Sequence, residues 1–184
     1  MRGGPSWAAR KAVGLSGVNS FQVGSVVEIR LATLHDVDLL LPIQQEVQRL
    51  HASAHPDLFR RSTDEELRAE MERFIGEEHL HVWVATRGGA LLGFAVAQVE
   101  DVPGNPFRLP MRVMHIDQIV VLRQYRRQGI GHALLDTIRS FAQQAHCSAM
   151  QLDVLEFNQS AKAFYVREGF EPFRQRMVMR LPQT

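Results

Sequence analysis

The sequence predicts an α/β domain. One mixed sheet of about six or seven strands carries helices on both faces, in the order β-α-α-β-β-β-α-β-α-β. Three observations predict it. Apolar residues repeat with the period of a helix in some stretches and with the period of a strand in the others. A Gly-Gly pair joins two of the strands as a hairpin, which makes that part of the sheet antiparallel. The late strands are separated by helices, and a strand that returns through a helix pairs in parallel. The 184 residues suffice for one domain with a sizeable core and show neither repeats nor an interdomain linker.

Val26-Val27-Glu28-Ile29-Arg30-Leu31 alternates in part and predicts the first strand. From Leu34 to about Ala54, the residues Val37, Leu40, Leu41, Val47 and Leu50 recur at helical spacing. Pro42 lacks an N–H and its ring meets the carbonyl four residues back, which predicts a kink or a split there. A second helix opens at Thr63, with Glu66 placed to complete a capping box, and closes at Gly76; Leu67, Met71, Phe74 and Ile75 are its buried stripe. Strands at about 80–86 and 91–101 flank Arg87-Gly88-Gly89. Pro103, Gly104, Pro106 and Pro110 mark a loop, and a long strand runs from about Arg112 to Leu122. The most regular helix spans 129–145, with Ile130, Leu134, Ile138, Phe141 and Ala145 on one side. A strand follows over Met150–Leu155, then a short helix capped by Asn158 and ending at Gly169, and a last strand over about 173–181.

Composition narrows the function. Lys and Arg number 21 against 20 Asp and Glu, a net charge of +1, so no long-range field draws the chain to nucleic acid or to an anionic membrane. The lone cysteine, Cys147, excludes an internal disulfide framework and a thiolate-rich metal site. No apolar run approaches the length of a membrane span. A cytoplasmic protein without nucleic-acid or membrane partners is expected. Residues 1–25 are glycine-rich and free of acids, and read as a flexible N-terminal extension to a domain over 26–184.

The informative stretch runs from Ile119 to Leu135. A strand enters a turn carrying Arg126-x-x-Gly129-x-Gly131, and a helix begins at once. The leading N–H groups of a helix lack internal acceptors, its dipole favours negative charge, and glycine lets the backbone approach phosphate oxygens. Arg123, Arg126 and Arg127 add charged donors. The spacing is neither the dinucleotide-binding GxGxxG nor a P-loop. On this turn alone, a glycine-assisted helix start with solvated arginines accounts for the same residues.

With its approach Val121-x-x-x-Tyr125-Arg126, this turn resembles the signature of the GNAT superfamily of acyl-CoA-dependent N-acetyltransferases. A second block resembles the superfamily too: Leu152-Asp153-Val154, then Asn158-x-Ser160-Ala161-x-x-Phe164-Tyr165-x-x-x-Gly169-Phe170. The likeness covers about residues 26–181 and implies a GNAT-like fold using acetyl-CoA as cosubstrate, without a metal. It implies that Arg126, Arg127, Gln128, Gly129, Ile130, Gly131 and His132 hold the coenzyme pyrophosphate, largely through backbone N–H groups. It also implies that Ile119, Val120 and Val121 pair with the pantetheine amides where the strand splays at a bulge. Asn158 falls where the superfamily often bonds the pantetheine arm, a role compatible with capping its helix. Tyr165 falls at the superfamily's common general acid. Such domains often dimerise, so a homodimer is expected from the likeness alone.

Attack on a thioester requires a neutral amine, whereas a free alkylammonium has a pKa near 10.4, so a general base is expected. Alternation places Val113, His115, Asp117, Ile119 and Val121 on one strand face, with His115 and Asp117 among apolar neighbours. Burial moves both toward the working range, and the sequence leaves either as the base. Glu100 and Glu156 are weaker candidates. His51 and His55 stand at a zinc-compatible spacing without a third ligand. His55 and Phe59 fall where the superfamily's first two helices border the acceptor, in a polar and aromatic segment suited to a small amine. Three other readings remain: a protein or peptide acceptor, a non-catalytic acyl-CoA-binding regulatory module, and a nucleic-acid-binding module resting on the arginines at 123–127.

Overall fold

The computed structural model describes residues 26–179; the N-terminal extension expected over 1–25 lies outside them. Five strands form one sheet in spatial order β1-β2-β3-β4-β5: β1 (Glu28–Leu31), β2 (Leu80–Arg87), β3 (Ala90–Val102), β4 (Met111–Val121) and β5 (Ala149–Leu152). The first four pair antiparallel in sequence and β5 pairs parallel to β4, so the sheet is mixed as predicted. Helices α1 (Val37–Ala54) and α2 (Asp64–Gly76) cover one face, while α3 (Ile130–Gln144) covers the other; α4 (Gln159–Arg167) lies beside α3.

Strand alternation divides the core into two layers. Val82, Val84, Phe94 and Val96 face α1 and α2, meeting Val37, Leu40, Ile43 and Met71. Trp83, Ala85, Ala95, Ala97, Met114 and Ile116 face α3, meeting Ile130, Leu134, Leu135 and Ile138. Leu134, Leu135 and Ile138 are completely buried, a burial of about 1.5–3 kcal/mol for each side chain.

Local chemistry sets the element ends. The Thr63 hydroxyl accepts from the Glu66 N–H and the Glu66 carboxylate accepts from the Thr63 N–H, closing the predicted capping box. Gly88 and Gly89 both hold positive φ, as the tight β2–β3 turn demands. Ahead of α1, buried Asp36 accepts two bonds from the Arg30 guanidinium at 2.7 and 2.8 Å and a third from the Thr33 N–H. Those bonds tie β1 to the helix start and hold the Asp36 carboxyl at about 2.

Two expectations are corrected. Of the kink or split expected at Pro42, the split is excluded: α1 is continuous over 18 residues, because burial of Leu40 and Ile43 on either side of the proline outweighs one lost backbone bond. The last predicted strand is absent over 173–179, and 180–181 lie outside the described residues. Phe173 is followed by Arg174, Gln175 and Arg176, so pairing that segment along the four-residue β5 would bury little apolar area. Phe173, Met177, Val178 and Met179 are exposed.

Candidate active site

β4 builds the site by losing its neighbour. It pairs with β5 only through Val113–Ile116, so from Asp117 onward the edge facing β5 has no strand partner. The register with β3 also shifts there. Val96 opposes Gln118 and Ala97 opposes Ile116, which leaves Asp117 as a bulged residue. Gly93 makes the adjoining close approach possible: a Cβ there would stand 2.4 Å from the Val120 carbonyl oxygen. The free edge over Ile119, Val120 and Val121 is the opening expected for amide pairing. One group on it is already engaged, since the Arg126 Nε donates to the Val121 carbonyl at 3.0 Å.

The bulge corrects the predicted face. Ile119 and Val121 pack toward α3 with Met114 and Ile116. His115, between those two residues, points to the α1/α2 side with Val120. Asp117 joins His115 there, its Oδ1 3.8 Å from His115 Nε2. Strict alternation fails because the extra residue inverts the side-chain phase. The two candidate bases are thus neighbours, each partly buried. Burial raises the Asp117 pKa and nearby Glu100 adds to this, while His115 and Arg73 of α2 oppose it.

Beyond β4, the chain passes through Arg123–Tyr125 into α3 with Arg127 at φ 61° and Gly129 at φ 79°, both left-handed. Gly129 is the N-cap and offers no side chain, so the leading N–H groups of α3 have no side-chain acceptor. A Cβ on Gly129 would meet nothing within 4 Å, so the space over the helix start is open. Gly131, by contrast, abuts the Phe164 ring: a Cβ would stand 3.3 Å from it. Gln128 donates to the Gln124 carbonyl at 3.2 Å and accepts from Arg87, which steadies the turn. An uncapped helix start, open space and flanking arginines fit an anionic phosphate group.

α4 follows as predicted. The Asn158 Oδ1 accepts from the Ala161 N–H at 3.2 Å, so the cap is made and its amide donors remain. Tyr165 packs edge-on against Phe164 and Phe170, with centroids 5.1 and 5.5 Å away, and burial pushes its phenol up to about 12. Tyr165 therefore keeps its proton at neutral pH. His132, in the first turn of α3, directs Nδ1 to Glu168 at 2.8 Å and Nε2 to Asp136 at 3.1 Å.

At the far end of α1, His51 packs on Phe59 (5.1 Å between centroids) and His55 packs on Phe157 (5.4 Å). These rings join the α1–α2 connection to the β5–α4 loop, one residue before Asn158. Burial lowers the His51 pKa, which keeps that ring neutral at pH 7. Among the described residues no three His, Cys, Asp or Glu side chains converge as a metal site, and no helix is long and apolar enough to cross a membrane.

Several residues here were not singled out from the sequence. Phe157 had only its place before the cap as a signal. Gln118 beside the bulge and Gln44 on α1 each bury a side-chain oxygen that has no partner among the described residues. Gln118 is the cross-strand partner of Val96, whose side chain faces α1 and α2, so the Gln118 amide lies on that face of the sheet. A glutamine carries no motif, and nothing in the sequence marks it.

The chain matches the family model described as "Acetyltransferase (GNAT) family" over residues 45–170. It is 31% identical over 100 residues to N-alpha-acetyltransferase 60 of Danio rerio, covering 47% of this chain and 41% of that protein. It is 33% identical over 90 residues to N-acetyltransferase 8B of Mus musculus, covering 48% and 37%. The matched region therefore spans less than half the length of these relatives. Among solved structures, a tetramutant of the BH1408 protein from Bacillus halodurans superposes with a TM-score of 0.78 at 26% identity, covering 84% of this chain and 99% of that one. Aminoglycoside N-acetyltransferase AAC(6')-Iy in complex with CoA shares the fold, with a TM-score of 0.68 at 21% identity over 86% and 96%. The family match, spanning both the splayed β4 and the uncapped start of α3, shows that this chain belongs to the GNAT acetyltransferase family.

Proposed function

We propose that this chain is an acyl-CoA-dependent N-acetyltransferase that passes an acetyl group from acetyl-CoA to a primary amine, on a small molecule, by direct attack in a ternary complex. One observation carries the reading. A strand stripped of its neighbour over Ile119–Val121 leads straight into a helix whose first N–H groups are uncapped and open. An extended amide-bearing arm ending in a pyrophosphate fits that sequence of groups.

The residues divide the work. The N–H groups of Ile130, Gly131 and His132, with Arg127 and Gln128 alongside, hold the pyrophosphate. The Ile119–Val121 edge and Asn158 align the pantetheine arm. On the α1/α2 side, Asp117 or His115 accepts the amine proton, directly or through a water. Attack forms the N–C bond and breaks the C–S bond, and the Tyr165 hydroxyl returns a proton to the departing sulfur. Holding both partners in one cleft supplies much of the acceleration. His55 and Phe59, with His51 and Phe157, border the acceptor.

A second reading, a peptide acceptor, is favoured by likeness to a protein named N-alpha-acetyltransferase. Calorimetric titration with acetyl-CoA tests the shared core. Micromolar binding to the wild type and none to Gly129→Glu is expected, since a carboxylate there would occupy the phosphate space. Absence of wild-type binding refutes the reading. A thiol-release screen over small amines and peptides then separates the acceptors. Loss of turnover in Tyr165→Phe argues against a non-catalytic module.

A further inference from the structure

His132 makes a connection that coenzyme holding does not require. It stands in the first turn of α3, and Glu168 caps the C-terminus of α4. Each charge is on the wrong end of its helix: a cation weakens a helix start, and a carboxylate weakens a helix end. Neither helix gains from its own residue, yet the two groups meet at 2.8 Å, with the Glu168 side chain only 14% exposed. The second ring nitrogen meets Asp136 at 3.1 Å. Both nitrogens therefore face carboxylate oxygens, and only the imidazolium, a donor at both, satisfies that arrangement.

This ion pair lies beside a second fastening. Gly131, the residue before His132, touches the Phe164 ring, and Tyr165 follows Phe164. The phosphate-binding turn and the helix bearing the proposed acid are thus joined twice, once by packing and once by charge.

We infer that His132 is a positioning residue whose imidazolium clasps α4 to the coenzyme-binding turn, so that coenzyme binding takes up a proton and sets Tyr165 in place. This rests on the acetyl-CoA reading above. Pyrophosphate oxygens at the start of α3 favour a cation at His132; the cation draws in Glu168, and Glu168 fixes the C-terminal turn of α4. The groups facing the ring are Glu168 from α4 and Asp136 from α3, with Arg139 opposing them. Together they raise the His132 pKa above its ordinary 6.5, led by the Glu168 contact. The clasp is complete below that ordinary value and is lost as pH rises through the higher folded one.

Coenzyme A titrated into the full chain, in two buffers of unlike ionisation enthalpy and across pH 6.5–8.5, tests the inference. The wild type is expected to take up a fraction of a proton, and its affinity is expected to fall several-fold across the range, about tenfold for each pKa unit of coupling. His132→Gln should lose the uptake and flatten the profile. Glu168→Gln keeps the titrating ring but not its α4 partner, so it should keep an uptake while its turnover at saturating coenzyme falls as in His132→Gln. Both variants should melt cooperatively. Subtracting the His132→Gln profile removes the titration of the coenzyme's own phosphate. At saturating coenzyme and pH 6.5, turnover should fall in His132→Gln and recover in His132→Arg, whose coenzyme affinity should no longer carry the pH dependence that His132 titration gives the wild type. Wild-type binding with the proton count and pH profile of His132→Gln overturns the clasp and leaves the acetyltransferase reading standing. Wild type that binds no coenzyme overturns both.

Discussion

Replacing Gly93 with alanine probes the geometry on which the site depends. An added Cβ would lie 2.4 Å from the Val120 carbonyl oxygen, about 1 Å inside an ordinary contact, and 3.1 Å from the Val121 Cα. Those atoms are backbone, so no rotamer change relieves the clash. β3 must move away from β4 where Gly93 opposes Val121. Overpacking of this kind costs about 1–3 kcal/mol. In a domain of this size that lowers the melting temperature by roughly 2–12 °C. Coenzyme affinity should fall as well, because the displaced segment is the free edge over Ile119–Val121. Gly129→Ala is the natural comparison. It meets nothing within 4 Å but holds φ 79°, so it should cost only about 1–2 kcal/mol of backbone strain. Calorimetric melting of the two variants beside the wild type, followed by coenzyme titration, reads both effects. A Gly93→Ala protein as stable and as tight-binding as the wild type would refute the claim that this close approach shapes the splayed strand.

Three further outcomes are expected. Tyr165→Phe should lower kcat by about 10²–10⁴-fold, as for loss of a general acid, with little change in coenzyme affinity by calorimetry. Asp117→Asn should lower turnover and remove the acid limb of the pH–rate profile; in the wild type that limb should lie above the ordinary 3.8, because burial raises the Asp117 pKa. Asp36→Asn should cost about 1–3 kcal/mol by denaturant melts, through weakened bonds to the Arg30 guanidinium. In the wild type the contribution of Asp36 is complete above the ordinary carboxylate pKa and is lost as pH falls toward about 2, so Asp36→Asn should flatten acid unfolding over that interval.

What could be read from sequence was what depends on near neighbours. The capping box at Thr63 and Glu66, the Gly88-Gly89 turn, the amphipathic period of α3 and the Asn158 cap are interactions within a few residues, and each stands where it was expected. The turn at Gly129 was legible for the same reason. A bulge on this strand was expected from the likeness, but its place at Asp117 was not legible in the residues. It arises from register between β3 and β4, where Val96 and Ala97 oppose Gln118 and Ile116, and no pattern along β4 alone reveals an extra residue. That single shift moved Ile119 and Val121 to the α3 face. It left His115 and Asp117 on the α1/α2 face. The ring cluster of His51, Phe59 and Phe157 and the clasp of His132 on Glu168 join residues distant in sequence, so they too emerge only when the chain is folded. The absent last strand shows the converse: Phe173 through Met179 alternates weakly, and weak alternation does not guarantee a partner.

Coenzyme-thiol release from acetyl-CoA, followed over a panel of primary amines and peptides, tests the central claim most directly. Wild-type protein is predicted to release thiol only when an amine is present, with saturation in both substrates and one N-acetylated product per thiol, and Gly129→Glu is predicted to release none. Tight coenzyme binding with no amine-dependent release across the panel would contradict the claim and leave a binding module in place of an enzyme.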